Sequence, residues 1–140
     1  MRLSDVERSV RAWLDRARGD LQYVAFGIDR PDLIWGTCFH AQQAAEKALK
    51  GYLLWLGAEV IPRTHDLHRL ARLIVEQGGK QPEEEMLRFL NTYAVECRYP
   101  EGMAEDEVTL EAAHRAAGYA REIVAFVRTA LVEDEAGTED

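Results

Sequence analysis

The sequence predicts an all-α protein, an up-and-down bundle of four to five helices. Three observations lead there. Apolar residues recur at spacings of three and four along most of the 140 residues. No stretch shows a convincing alternation of period two. Proline falls between the periodic segments, as do Gly27, Gly57, Gly78, Gly79 and Gly102.

The first helix begins at a capping box, Ser4-x-x-Glu7, with Ser4 as N-cap. Val6, Val10, Trp13, Ala17, Leu21 and Val24 then form one stripe to about Phe26. Asp20 lies at the edge of that stripe. A carboxylate there needs a cation or a helix-end amide, because burying it alone is costly. Lys47 and Arg98 are its candidate partners.

Gly27 to Pro31 breaks the pattern, and proline suits the first turn of the next helix. The second helix runs from about Asp32 to Leu56, with Gly57 as its stop. Cys38, Ala41, Ala45, Ala48, Tyr52 and Leu56 make its apolar face, widened by Ala44, Leu49 and Leu53. Its small residues allow a neighbouring backbone to come close. Gln43, Glu46, Lys47 and Lys50 form a polar stripe on the other side, with Glu46 and Lys50 four apart in the stabilising order. This helix organises the bundle, and its polar side is the main candidate surface for contacts with something else.

A third, shorter helix follows Thr64-His65-Asp66-Leu67, capped by Thr64 or Asp66, and Gly78-Gly79 ends it. Leu67, Leu70, Ala71, Ile74 and Val75 are its apolar positions. Acidic residues after Pro82 open a fourth helix, where Met86, Leu87, Leu90, Tyr93 and Ala94 face inward. It must stop by Tyr99, since Pro100 disfavours α geometry before it. Residues 101–107 form a polar loop. The fifth helix runs from about Val108 to Val132, with an apolar face of Ala112, Ala116, Ala120, Ile123, Val124, Val127 and Leu131. The expected organisation is one domain over residues 1–132 and an acidic, flexible tail over 133–140.

Net charge is −8 and unevenly spread: residues 1–80 carry 12 Lys+Arg against 10 Asp+Glu, residues 81–140 carry 5 against 15. Such a chain repels polyphosphate at long range, which argues against non-specific nucleic-acid binding. No apolar run approaches the roughly 18 residues that span a bilayer. The N-terminus has no apolar signal region, so a cytoplasmic location is expected. Cys38 and Cys97 have no metal-ligand spacing and read as reduced thiols.

His65-Asp66-Leu67-His68 clusters two imidazoles and an acid, but nothing ties His40 or His114 to that turn as further metal ligands. Glu111-x-x-His114 occurs once, whereas carboxylate-bridged di-iron bundles need the motif twice. No metal or cofactor is expected. Arg98 ends the fourth helix, where it can satisfy helix-end carbonyls or meet a phosphate or carboxylate.

Taken in order, these residues resemble the HEPN family (higher eukaryote and prokaryote nucleotide-binding). The resemblance rests on Trp13-Leu14-x-x-Ala17-x-x-Asp20-Leu21, Phe39-His40-Ala41-Gln42-Gln43-Ala44-Ala45-Glu46-Lys47-Ala48-Leu49-Lys50, Thr64-His65-Asp66-Leu67 and Arg98-Tyr99-Pro100. It covers about residues 8–130. The resemblance implies a HEPN-like bundle that forms homodimers. Prokaryotic members are made beside a small nucleotidyltransferase and associate with it. Some members bind nucleotides, and others are ribonuclease toxins that use Arg-x4–6-His. This chain departs from the toxin motif, because no histidine follows Arg98 at that spacing. Arg63-x4-His68 matches by count but precedes the third helix instead of opening a late one.

The resemblance therefore implies a non-catalytic module that dimerises and binds a nucleotide such as ATP or GTP, a small partner nucleotidyltransferase, or both, in a two-gene toxin–antitoxin-like system. Gln43, Glu46, Lys47, Lys50, Arg98 and Tyr99 are its candidate ligand or partner residues. Asp20, His40, His65 and Asp66 are its candidate structural polar network. The alternatives are a ribonuclease toxin, against which the missing histidine counts, and a dimeric scaffold without a ligand.

Overall fold

The computed structural model describes residues 3–94 and 108–138, with side chains over 5–94 and 108–135. Five α-helices lie in the described residues: α1 Leu3–Gly27, α2 Ile34–Trp55, α3 Leu67–Glu76, α4 Glu84–Asn91 and α5 Leu110–Thr138. A single 3-10 turn, Pro31–Leu33, leads into α2. No strand occurs among these residues, and the helices form the expected bundle.

α2 is the axis of the molecule. It packs against α1 and α5 along most of its length and against α3 and α4 over part of it. Thirteen of its 22 residues are buried, so only a narrow strip meets solvent. The alanines make this possible. Ala41, Ala44, Ala45 and Ala48 are fully buried and let the neighbouring helices approach. Leu49, Leu53, Leu70, Ile74, Leu90 and Ile123 fill the remaining space.

Where α2 crosses α1, the small residues become obligatory. A Cβ on Gly51 would sit 3.1 Å from Trp13 Cβ and 3.6 Å from the Val10 carbonyl oxygen. At the other end of the pair, a Cβ on Gly27 would fall 2.4 Å from Thr37 Oγ1.

Both α2 and α3 end in Schellman caps. Gly57 has φ +106, and its N–H donates to Leu54 O while that of Ala58 donates to Leu53 O. Gly78 has φ +91, and the same two bonds run from Gly78 to Val75 and from Gly79 to Ile74.

Several boundaries differ from the sequence reading. α1 already includes Ser4, which is therefore not its N-cap. α2 starts at Ile34 because Pro31-Asp32-Leu33 close into the tighter 3-10 turn. In α5, Ala113 is fully buried and Ala112 only partly so, and Val75 of α3 is exposed. α5 also continues past Val132 to Thr138. Acidic residues at a helix C-terminus oppose the macrodipole. Here Trp55 Nε1–H donates to Asp134 Oδ2 at 3.1 Å, tying that last stretch to the end of α2. The expected loop 101–107, Cys97 and the Arg98-Tyr99-Pro100 turn lie outside the described residues.

The α1–α2 crossing gives a direct test. Gly51→Leu forces a side chain against Trp13 and the α1 backbone, so we expect a loss of about 2 kcal/mol in urea denaturation. Gly118, where a Cβ would meet nothing within 4 Å, serves as control: Gly118→Ala is expected to be neutral or stabilising.

Candidate functional site

The polar residues of α2 do not form an outward-facing stripe. Because α1, α3 and α5 cover so much of the helix, Glu46 and Lys50 lie inside, with side chains 5% and 8% exposed. An ion pair at that depth needs good geometry and additional hydrogen bonds to offset desolvation. It has both. Lys50 Nζ donates to Glu46 Oε2 at 3.0 Å and lies 5.7 Å from the centroid of the Trp13 ring. The other oxygen, Oε1, receives His65 Nδ1 at 2.8 Å, with Gln42 Nε2 and Gln43 Nε2 each at 3.3 Å.

A second carboxylate repeats the arrangement one helix away. Asp20 of α1, 6% exposed, receives Lys47 Nζ on Oδ2 at 2.7 Å and His40 Nδ1 on Oδ1 at 2.8 Å. The Tyr23 ring stacks on His40 with centroids 4.3 Å apart and planes 12° from parallel. Phe39 meets the same ring edge-on at 5.1 Å.

Each carboxylate thus has one oxygen held by a lysine and the other by a histidine. An ionised carboxylate only accepts hydrogen bonds, so each Nδ1 carries a proton and donates it, which turns each Nε2 away from the carboxylate. Neither Nε2 has a partner among the described residues. Both rings are partly exposed. The chemistry left on offer is two fixed imidazole edges, each with an Nε2 able to hydrogen-bond.

His65 belongs to the turn before α3. Its carbonyl oxygen accepts from Gln42 Nε2 at 3.0 Å, which fixes the turn against α2. Asp66 is the N-cap of α3 and accepts from the N–H groups of His68 and Arg69. Asn91, at the end of α4, joins the cluster: Oδ1 accepts Leu67 N–H at 2.9 Å, and Nδ2 donates to Asp66 Oδ1 at 3.0 Å. His68 is engaged by Glu84 at 2.8 Å, so the Arg63-x4-His68 spacing does not present a free histidine. Arg63, Thr64, His65, Asp66, Asn91 and Ala94 line an open polar groove of about 280 Å³.

The candidate residues therefore divide. Asp20, His40 and Lys47 form one cluster; Gln43, Glu46, Lys50 and His65 form another; Asp66 caps α3 beside the second. Arg98 and Tyr99 lie outside the described residues. Sequence reasoning did not single out Gln42, Asn91 or Arg63 as site residues. Gln42 had a signal, since it shares the spacing of buried Ala45 and Leu49. Asn91 had none, because it reaches Asp66 across 25 positions of chain.

The thiol in the core is inert by comparison. Burial pushes Cys38 up to about 12 despite a hydrogen bond from Tyr93, whose own hydroxyl is pushed up to about 12 by burial.

Comparison with known proteins gives a consistent result. A HEPN domain family model matches residues 10–130. The crystal structure of TT1696 from Thermus thermophilus is similar, at 32% identity and TM-score 0.67 over 86% of this chain and 96% of that one. The crystal structure of ST0689, an archaeal HEPN homologue, is similar at 27% identity and TM-score 0.65 over 86% and 95%. No curated protein matches.

Two predictions come from this geometry. Glu46→Leu leaves Lys50 buried without its counter-charge, and we expect a loss of about 3–5 kcal/mol in urea denaturation. Adding Lys50→Met removes the stranded charge and is expected to recover at least about 1 kcal/mol of it. The second concerns Asp66. Partial burial acts to raise its carboxyl, but hydrogen bonds from Asn91 and from the N–H groups of Arg69 and His68 outweigh that and hold it below the ordinary 3.8. A carboxylate lowered on folding contributes stability that is present above its unfolded value and lost as pH falls through its folded one. Asp66→Ala should cost about 1 kcal/mol at pH 7. That difference from wild type should shrink below about pH 4, as urea titrations at pH 7 and pH 3 would show.

Proposed function

The chain belongs to the HEPN domain family, and from that premise we propose that it is a non-catalytic module that dimerises and binds a nucleotide, a small partner nucleotidyltransferase, or both. The observation that carries this reading is the state of its polar groups. The two buried carboxylates are matched by lysines, and neither His40 nor His65 is hydrogen-bonded to a hydroxyl or thiol among the described residues. A hydroxyl or thiol nucleophile activated by an adjacent imidazole is therefore not assembled among those residues. What the arrangement offers is recognition: the fixed imidazole edge of His65 in an open polar groove.

The geometry favours a different division of labour from the one the sequence suggests. Lys50 is buried on Glu46 and Lys47 is held by Asp20, so their charge is already matched. Arg63, exposed at the groove, is the better partner for a phosphate, with His65 and Asn91 supplying hydrogen bonds to a base or ribose. Arg98 and Tyr99 are proposed to add to the same ligand or partner site. A two-gene setting beside a nucleotidyltransferase follows from the family resemblance and is part of the proposal.

Isothermal titration with ATP and GTP tests the ligand half. We expect saturable heat for one of them, weakened at least tenfold by Arg63→Ala and by His65→Ala. No heat at millimolar nucleotide would remove nucleotide binding from the proposal. Co-expression with a nucleotidyltransferase from the neighbouring reading frame tests the partner half. RNA cleavage lost on Arg98→Ala would replace the proposal with the ribonuclease reading.

A further inference from the structure

Two large aromatic side chains stand out from the solvent face of α1: Tyr23, 62% exposed, and Phe26, 61% exposed. Neither is loosely placed. Tyr23 lies flat on His40, whose ring is anchored through Nδ1 to buried Asp20. Phe26 carries the Arg30 guanidinium over its ring at 4.2 Å, and Arg30 Nε–H donates to the Phe26 carbonyl oxygen at 3.0 Å. Exposed aromatics held in advance lose little freedom when something covers them. Aromatics and arginine are also the residues that enrich protein interfaces.

Beside them is a hole. Gly19 lies one turn before Tyr23, and a Cβ there would meet nothing within 4 Å. Gly19, Gln22, Tyr23 and Phe26 line a mainly apolar groove of about 440 Å³. His40 continues this surface onto α2, with Gly36 and Gln43 on the same side of that helix.

We propose that this α1 face is the interface for a second copy of the chain, with the two α1 helices antiparallel about a two-fold axis near position 21. The inference rests on the dimerisation in the functional reading above and names its surface. The occupant follows from self-complementarity. A two-fold contact requires that residue i meets j and j meets i. Knob and hole lie four residues apart on one helix, so an antiparallel pair lets each Tyr23 enter the other copy's Gly19 hole. The same register sets Arg16 across from Phe26 of the second copy, a cation facing a ring. Aromatic thus meets glycine and cation meets ring along the contact. Tyr23 already lies on His40, so burying it would screen the Asp20–His40–Lys47 cluster of each protomer further from solvent.

Analytical ultracentrifugation of the full chain tests this, with Gly19→Leu and Tyr23→Ala as variants. Gly19→Leu fills the hole while replacing glycine within a helix, which favours the α1 fold. Val60→Ser, at an exposed apolar residue away from α1, is the control. We expect a wild-type dimer, a dissociation constant raised at least tenfold by each α1 variant, unchanged far-ultraviolet circular dichroism, and no effect of Val60→Ser. A dimer that survives both α1 variants overturns this interface and leaves dimerisation standing. A wild-type monomer at about 100 µM overturns the interface together with the dimerisation it rests on. Nucleotide titration of the same samples then reads the ligand half of the functional proposal separately.

Discussion

Two carboxylates inside a helical bundle set the terms for everything around them. Asp20 and Glu46 are nearly sealed from water, and an isolated buried carboxylate is among the most costly groups a fold can contain. Each must be met on both oxygens. The bundle supplies a lysine and a histidine to each, and adds two glutamine amides to Glu46. These bonds cross between elements: α1 to α2 through Asp20, and α2 to the turn before α3 through His65 and Gln42. That turn in turn positions Asp66, which caps α3 and holds Asn91 of α4. The polar chain therefore runs from the first helix to the fourth.

The fold was legible because its signals are local. Helical periodicity, Gly57, Gly78 and the acidic start of α4 act within a few residues of where they stand, and so did the Glu46–Lys50 spacing. The pairing of Asp20 with Lys47 was also within reach, since a carboxylate on the edge of an apolar stripe must find a cation. What periodicity could not show is how deeply α2 is covered. A helical wheel separates apolar from polar residues, but it assumes that the polar side faces water. Around α2 the alanines bring α1 and α5 so close that Glu46 and Lys50 are enclosed along with them. Small apolar residues and buried charges are thus two consequences of one packing arrangement. Asn91 was illegible for a different reason: it reaches Asp66 across 25 positions of chain, which carry no periodic signal.

This burial changes what the polar stripe can mean for function. Charge already matched inside the fold is not available to a ligand. What reaches the surface is the far edge of each network, the imidazole rings of His40 and His65. Each is oriented from behind by a carboxylate whose own charge is matched by a lysine. A ring held in that way presents a defined nitrogen in a defined direction, which is a recognition element that does not depend on net charge.

The network also fixes the register of α1 against α2, which the alanine face alone could not do. A slide of one turn would replace Ala41 by Ala45 and Ala44 by Ala48, small for small, but it would bring Trp55 or Lys47 to the place where Gly51 meets Trp13 of α1. Asp20 discriminates. His40 and Lys47, two turns apart, bracket it from either side. Sliding α2 by four residues would bring Ala44 and Gly51 to those places, or Gly36 and Gln43 in the other direction. Neither pair contains a cation, and Asp20 would be left buried without a counter-charge. The penalty for that is several kcal/mol, on the order of an entire domain's net stability. The value of the buried pair thus lies less in its contribution to the native state than in what it costs every neighbouring state. The aspartate on α1 and the glycine on α2 thus exclude the same slipped registers, one by charge and the other by shape.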